Sequence, residues 1–165
     1  KIKSLLKPEI LTIFDKIKNN LKYIGDELSS YPLNFCHGDY KSPNIFYKDD
    51  GDIIILDWQY IHLGKGVSDL VFLLVESIDF DIKLCNSIKY LYYKQYSKDN
   101  TLYSIEQFDY EFNLSLCMFP FFVCVWFNSE NLDKLIDSTF PLRFIRNLEK
   151  YYNYYLKDFK FEKNI

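Results

Sequence analysis

His37-Gly38-Asp39-Tyr40-Lys41-Ser42-Pro43-Asn44, followed by Ile53-Ile54-Ile55-Leu56-Asp57-Trp58, is the stretch on which the reading of this chain turns. The apolar run Leu33 to Cys36 leads into a turn at Gly38. Asn44 to Tyr47 reads as a strand, and Ile53 to Leu56, β-branched and wholly apolar, reads as a strand buried on both faces. Between them Asp49-Asp50-Gly51-Asp52 is a turn, because Asp-Gly between two apolar runs marks a hairpin. Asn44 then begins one strand and Asp57 follows the other. In an antiparallel pair those ends are neighbours, so the turn brings an amide and a carboxylate to one mouth of the ribbon.

Taken singly, Asp39 reads as a turn aspartate, Asn44 as a turn residue and Asp57 as a strand-end cap. Taken together, their types, order and spacing fit phosphoryl transfer. A carboxylate receives the proton of an attacking hydroxyl, which is a poor nucleophile until that proton has a destination. An amide and a second carboxylate hold the magnesium that bridges the ATP phosphates. Magnesium favours hard oxygen donors and usually takes only one or two protein carboxylates. Asp39 is therefore the candidate base, and Asn44 and Asp57 are the candidate metal ligands. His37 is expected to fix the turn through backbone bonds and not to act as a base. Lys41 reads equally as a phosphate contact and as a solvated lysine. Asp69 could accept backbone N–H groups of the loop or cap a helix. Trp58 is expected to pack beside Asp57 and shield the site. Gly64 and Gly66 fit neither a P-loop nor a dinucleotide fingerprint, and are expected to let their loop bend.

Working outward, Pro8 suits a first helical turn. Ile10, Ile13, Phe14, Ile17, Leu21, Ile24 and Leu28 recur at helical spacing, predicting one helix that ends near Ser29-Ser30. Trp58 to Val67 reads as loop, after which Ser68 or Asp69 caps a helix through Val75. Further helices are expected over Ile82–Tyr96, Ile105–Phe127 and Phe140–Leu156. Ser104 with Gln107 forms a capping box, and Pro120 should kink or divide its helix. The fold class is therefore α+β, mostly α, with a small hairpin and a helical block.

The net charge of −3 leaves no electrostatic footprint for nucleic acid. Tyr151-Tyr152-Asn153-Tyr154-Tyr155 accordingly reads as helix packing and not as a base-stacking surface. The acidic group Glu76, Asp79 and Asp81 reads first as a solvated helix end, with attraction of a cationic amine as the second reading. Cys36, Cys85, Cys117 and Cys124 form no C-x-x-C pair, and His62 is not placed to complete a zinc site. They lie in apolar runs as reduced thiols, so a cytoplasmic protein is expected. The longest apolar run, Leu114 to Phe127, falls short of the roughly 18 residues of a membrane span and reads as a buried core helix.

The stretch Cys36 to Tyr47 resembles the catalytic loop, H-G-D-x-x-x-x-N, of the aminoglycoside phosphotransferase and choline kinase-like superfamily. Ile55-Leu56-Asp57-Trp58-Gln59 resembles its metal-binding motif, and Gly66-Val67-Ser68-Asp69-Leu70 the helix start that follows. The CHK kinase-like and ecdysteroid kinase-like members are the most similar in pattern. The resemblance implies a bilobal protein-kinase-like fold, ATP and Mg2+, and a small molecule bearing a hydroxyl as substrate. It makes Asp39 the base and Asn44 and Asp57 the metal ligands.

Members of that superfamily carry an N-terminal lobe that grips ATP. Here thirty-six residues precede His37 and read as helix. Residues 1–165 are thus expected to form the C-terminal, catalytic lobe without its ATP-binding partner. The alternative is a pseudokinase or binding module of the same fold without turnover. A protein kinase is disfavoured, because no D-F-G or A-P-E segment follows and Gly38 stands where those enzymes have Arg. Because positioning the phosphates supplies much of the rate, the 165-residue polypeptide alone is expected to be inactive or nearly so. A coupled kinase or ATPase assay tests this, and normal turnover would contradict it.

Overall fold

The computed structural model describes residues 6–119 and 140–161. In chain order the elements are α1 (Pro8–Asn19), α2 (Leu21–Leu28), β1 (Asn34–Cys36), β2 (Ile45–Tyr47), β3 (Ile53–Ile55), β4 (His62–Gly64), α3 (Val67–Ser77), α4 (Ile82–Tyr96), α5 (Ile105–Leu116) and α6 (Phe140–Tyr155). A 3-10 turn at Ser42–Asn44 precedes β2. The fold is mostly helical with small antiparallel ribbons, the α+β class that the sequence pattern predicts.

The first helical pattern divides in two. Pro8 opens α1 as expected, but the helix ends at Asn20. There the side-chain amide donates to the Lys16 carbonyl at 2.8 Å and the backbone N–H to Ile17 O at 3.0 Å. An asparagine that bonds back to the chain in this way competes with helix propagation. The apolar stripe survives the break, since Ile10, Ile13, Ile17 and Ile24 are all buried.

β2 and β3 pair as the Asp-Gly turn requires, with Ile45 opposite Ile55 and Tyr47 opposite Ile53. Gly51 takes φ 89° in that turn, a value that L side chains avoid. Leu56 N–H donates to Asn44 O at 2.8 Å, extending the ladder one step toward the site. The expectation that this strand is buried on both faces does not hold. Ile53, Ile54 and Leu56 are 56%, 40% and 48% exposed. A ribbon of two strands has no layer over it among the described residues, so its β-branched side chains follow strand propensity without core burial.

The segment after Asp57 also departs from the loop reading. It contains β4, which pairs antiparallel with β1 and sets Cys36 opposite His62. Neither Gly64 nor Gly66 takes a positive φ, so they supply no left-handed bend. They admit close neighbours instead: a Cβ on Gly66 would lie 2.7 Å from the Tyr92 hydroxyl oxygen.

α3 is the central helix. Val67, Leu70, Val71, Phe72, Leu74 and Val75 are all buried, which leaves it little solvent face. It packs against α5 and α6, and α1 also packs on α6. The Tyr-rich end of α6 is core: Tyr151 and Tyr152 have no exposed surface. Their hydroxyls donate to Leu74 O at 3.1 Å and Leu116 O at 2.7 Å. Asn147 donates from Nδ2 to Val75 O and Ile78 O and accepts from Phe80 N–H, satisfying the backbone where α3 ends. These buried hydroxyl and amide groups thus find backbone partners, as a low-dielectric interior favours.

α4 spans the residues its periodicity predicts, with Asp81 accepting from the N–H groups of Lys83 and Leu84. Ser104 caps α5 by accepting from Gln107 N–H, but the Gln107 side chain turns to Glu111 and leaves the capping box half-made. α5 ends at Leu116, so it does not run on to Phe127. Residues 120–127, including Pro120 and Cys124, lie outside the described residues. Cys36, Cys85 and Cys117 are buried free thiols. No helix among the described residues is long and apolar enough to cross a membrane.

One ion pair is sealed inside: Lys65 Nζ lies 2.9 Å from Glu111 Oε1, with both side chains almost fully buried. Tyr103 Oη also donates to Glu111 Oε2 at 2.6 Å. Removing one partner leaves an uncompensated buried charge. Lys65→Met is expected to lower unfolding stability by about 3 to 5 kcal/mol in urea titrations at neutral pH.

Candidate functional site

The loop from His37 to Asn44 is held in place chiefly by one side chain of α3. Asp69 accepts the backbone N–H of His37 at 2.7 Å on Oδ2 and that of Gly38 at 2.9 Å on Oδ1. It therefore does not cap its own helix. Gly66 stands at the α3 N-cap position, with no side-chain cap bond from Ser68 or Asp69. A second tie runs from Ser42 N–H to Ser77 Oγ at the far end of α3, 2.7 Å.

Gly38 has φ 83°, and a Cβ there would lie 2.3 Å from the Tyr60 carbonyl oxygen. Both facts exclude any other residue from the turn. The His37 ring works as a strut. Its Nδ1 accepts from Asp39 N–H at 3.2 Å, which leaves Nε2 to carry the proton and donate to Leu56 O at 2.8 Å. The ring thus joins the loop to the residue before Asp57, consistent with a fixing role. Trp58 lies on His37, ring centroids 4.6 Å apart, and donates from Nε1 to Ile55 O. It does not cover Asp57, which is exposed.

Asp39 is buried, at 5% exposure. Its Oδ2 lies 3.0 Å from Lys41 Nζ and accepts from Asn44 Nδ2 at 3.0 Å. Asn44 Nδ2 also donates to Asp39 O at 2.8 Å. With both amide hydrogens turned to Asp39, the Asn44 orientation is set and its Oδ1 is the atom left for another partner. Lys41 neutralises the carboxylate from the solvent side, so it is bound to Asp39 and is not a freely solvated lysine.

Asp57 takes φ 62°, alone among the non-glycine described residues in having a positive value. A carboxylate residue held there breaks the alternation of its strand and is re-aimed by the backbone; such outliers cluster at functional sites. Leu56 is opposite Asn44 in the extended ladder, so Asp57 comes one residue beyond it. The structure therefore brings Asp39 and Asn44 into contact and sets Asp57 at the same mouth. No group of three His, Cys, Asp or Glu is gathered for a metal ion among the described residues. A cation here would have one amide oxygen and one carboxylate from the protein, which suits a magnesium ion completed by phosphate and water.

The acidic trio separates into three environments. Asp81 caps α4, and Asp79 is exposed with Arg143 3.9 Å away. Glu76, by contrast, has Oε2 buried with no hydrogen-bond partner. Burial, offset partly by Lys41 and reinforced by Asp39, pushes its carboxyl up from 4.5 to about 7. In the sequence Glu76 stands out only as one of an acidic group; in the structure it lies seven positions, about two turns, beyond Asp69 on α3. Cys36, beside Asp69, is held neutral by burial, which raises its thiol further.

A cavity of about 500 Å³ lies elsewhere, among Tyr31, Pro32, Lys65, Tyr96 and Leu102. Its charged floor is the Lys65–Glu111 pair, already satisfied from within.

A family model described as the ecdysteroid kinase-like family matches residues 3–102. The chain belongs to that family, which is part of the choline kinase and aminoglycoside phosphotransferase-like superfamily and is kinase-like. No curated protein and no solved structure gives a significant match.

Two outcomes follow from the geometry. Asp69→Ala leaves two loop N–H groups without their acceptor and should lower stability by about 2 to 3 kcal/mol in urea titrations. Asp69→Asn, which keeps one acceptor oxygen, should lose less. For Glu76, the folded chain holds a proton that the unfolded chain releases between pH 4.5 and about 7. Its contribution to stability therefore falls as pH rises through that window. Thermal melts of wild type and Glu76→Gln across it should diverge, the variant declining less.

Proposed function

We propose that this ecdysteroid kinase-like chain is the catalytic lobe of an enzyme that moves the γ-phosphoryl group of ATP to a hydroxyl of a small molecule. The observation that carries this reading is the Asp39–Asn44 pair. A buried carboxylate and an oriented amide share two hydrogen bonds, and Asp57, with its positive φ, follows Leu56, whose N–H bonds Asn44 O.

Asp39 is the base. The acceptor hydroxyl lies against its carboxylate, and the proton passes to that carboxylate as the oxygen attacks. Lys41, 3.0 Å from the same carboxylate, pairs with Asp39 and is within reach of a phosphate oxygen as a point charge. Asn44 Oδ1 and the Asp57 carboxylate would hold the magnesium ion, which when bound neutralises charge on the β- and γ-phosphates. Phe46 and Ile54, opposite one another in the ribbon, and Leu56 two residues on, form an exposed apolar surface beside these ligands. A flat nucleotide base would find an apolar bed there. Asp69 and His37 do not touch the reacting atoms; they hold the loop that does.

The test is magnesium-dependent phosphoryl transfer by the full-length protein. Asp39→Asn should lower kcat by about 10²- to 10⁴-fold with little change in nucleotide affinity. Asp57→Ala should abolish the magnesium-dependent reaction. Retained activity in Asp57→Ala would contradict the ligand assignment. A wild-type protein that binds ATP and magnesium without transferring phosphate to any hydroxyl compound would establish the turnover-free alternative.

A further inference from the structure

The cavity of about 500 Å³ is separate from the catalytic mouth, since none of Asp39, Lys41, Asn44 and Asp57 lines it. Its size is that of a small-molecule site, roughly 300 to 1,000 Å³. Three parts of the chain enclose it: the segment before β1, the residues leading into α3, and the turn from α4 into α5 with the start of α5 itself. The floor is the Lys65–Glu111 pair.

The two partners of that pair are not equally provided for. Glu111 Oε1 receives Lys65 Nζ at 2.9 Å and Gln107 Nε2 at 2.8 Å, and Oε2 receives the Tyr103 hydroxyl at 2.6 Å. Lys65 Nζ has one further acceptor among the described residues, Pro32 O at 3.3 Å. An ammonium carries three hydrogens, so the charge of Lys65 is answered while one N–H is left over. A buried donor in that position is costly and calls for an acceptor. Lys65 lines the cavity, which is the space from which an acceptor can reach it.

The walls indicate what the acceptor is attached to. Tyr31 and Leu102 line the cavity while almost wholly exposed, so they stand at its rim. Deeper in, Tyr96 and Tyr103 meet edge to face with ring centroids 4.9 Å apart. Flat rings of this kind favour another aromatic ring through offset and edge contacts. The charged side chains of the lining are Lys65, Glu111 and the exposed Asp99. Lys65 is already matched by Glu111 and Asp99 adds negative charge, so a carboxylate or phosphate is opposed. A cation would meet the Lys65 ammonium at the floor. An uncharged molecule avoids both costs.

We propose that this cavity is a second binding site and that its ligand is an uncharged aromatic amide or ketone. The carbonyl oxygen accepts the remaining Lys65 N–H, and the ring lies against Tyr31, Pro32 and Leu102. The inference stands on the cavity and its donor, and owes nothing to phosphoryl transfer.

The experiment is a nitrogen-15 NMR titration of the full-length protein, following the backbone amides of Tyr31, Leu102 and Tyr103. The probes are benzamide, toluene, benzoate and benzylamine. Benzamide should shift these signals saturably with a Kd of about 1 mM, as expected for so small a ligand. The other three should bind about fivefold or more weakly, toluene for want of the carbonyl and the two ions because of their charge. The double variant Tyr31→Ser/Leu102→Ser changes two rim positions with little packing to lose. It should stay folded and weaken benzamide about fivefold or more. The proposal is overturned by the absence of a saturable shift with benzamide, or by shifts confined to the ribbon residues Phe35 and Leu63. Equal affinity for toluene or for either ion overturns it too, as does undiminished affinity in the double variant.

Discussion

The bidentate grip of Asp69 on the backbone of His37 and Gly38 is the constraint from which the site follows. A loop has no lattice of its own, and its polar backbone must be satisfied from elsewhere. Here the satisfaction comes from a carboxylate on α3, a helix buried along most of its length. Position is thereby passed from a packed core to a turn on its surface. Ser77 repeats the arrangement at the other end of α3, and His37 carries it across to the strand before Asp57. Three ties from rigid elements leave the loop few alternative conformations, and such support is what holds reacting groups in place.

α3 can do this because it is itself held on every side. Its apolar residues pack on α5 and α6, and its C-terminal carbonyls are met by Asn147 and Tyr151. The burial of Tyr151 and Tyr152 shows why polar aromatics serve here: each fills volume while its hydroxyl closes a backbone carbonyl. The opposite side of the molecule behaves differently. Phe35, Phe46, Tyr47, Ile53 and Leu63 stand exposed on the two ribbons. The site lies at the border between the packed helical core and this exposed apolar surface.

Much of this was legible in the residues themselves. The Asp-Gly turn between apolar runs specifies the hairpin, and the hairpin specifies that Asn44 and Asp57 meet at one end. The limits of α4 followed from periodicity, and a turn at Gly38 from the apolar run that leads into it; the Asp81 cap and the close approach of Tyr60 to Gly38 show only in the fold. What stayed hidden depends on long-range partners. Asn20 looks like any helical surface residue until its amide turns back on Lys16. β4 has too few residues to show a pattern and exists because β1 pairs with it. The exposure of Ile53 to Leu56 could not be read from apolar character, since propensity for strand and burial in a core are separate properties. Glu76 was visible only as part of an acidic group; its isolation from Asp79 and Asp81 is a consequence of tertiary packing.

The central claim is that Asn44 and Asp57 present their oxygens to a single divalent ion while Asn44 is oriented by Asp39. Paramagnetic broadening by Mn2+, with and without ADP, in a nitrogen-15 spectrum of the labelled chain tests it directly. The account predicts selective loss of the Asn44 side-chain amide signals and of the Asp57 and Trp58 backbone signals, abolished in Asp57→Ala. Broadening centred on the exposed Asp49–Asp52 turn, or none at this mouth of the ribbon, would contradict it.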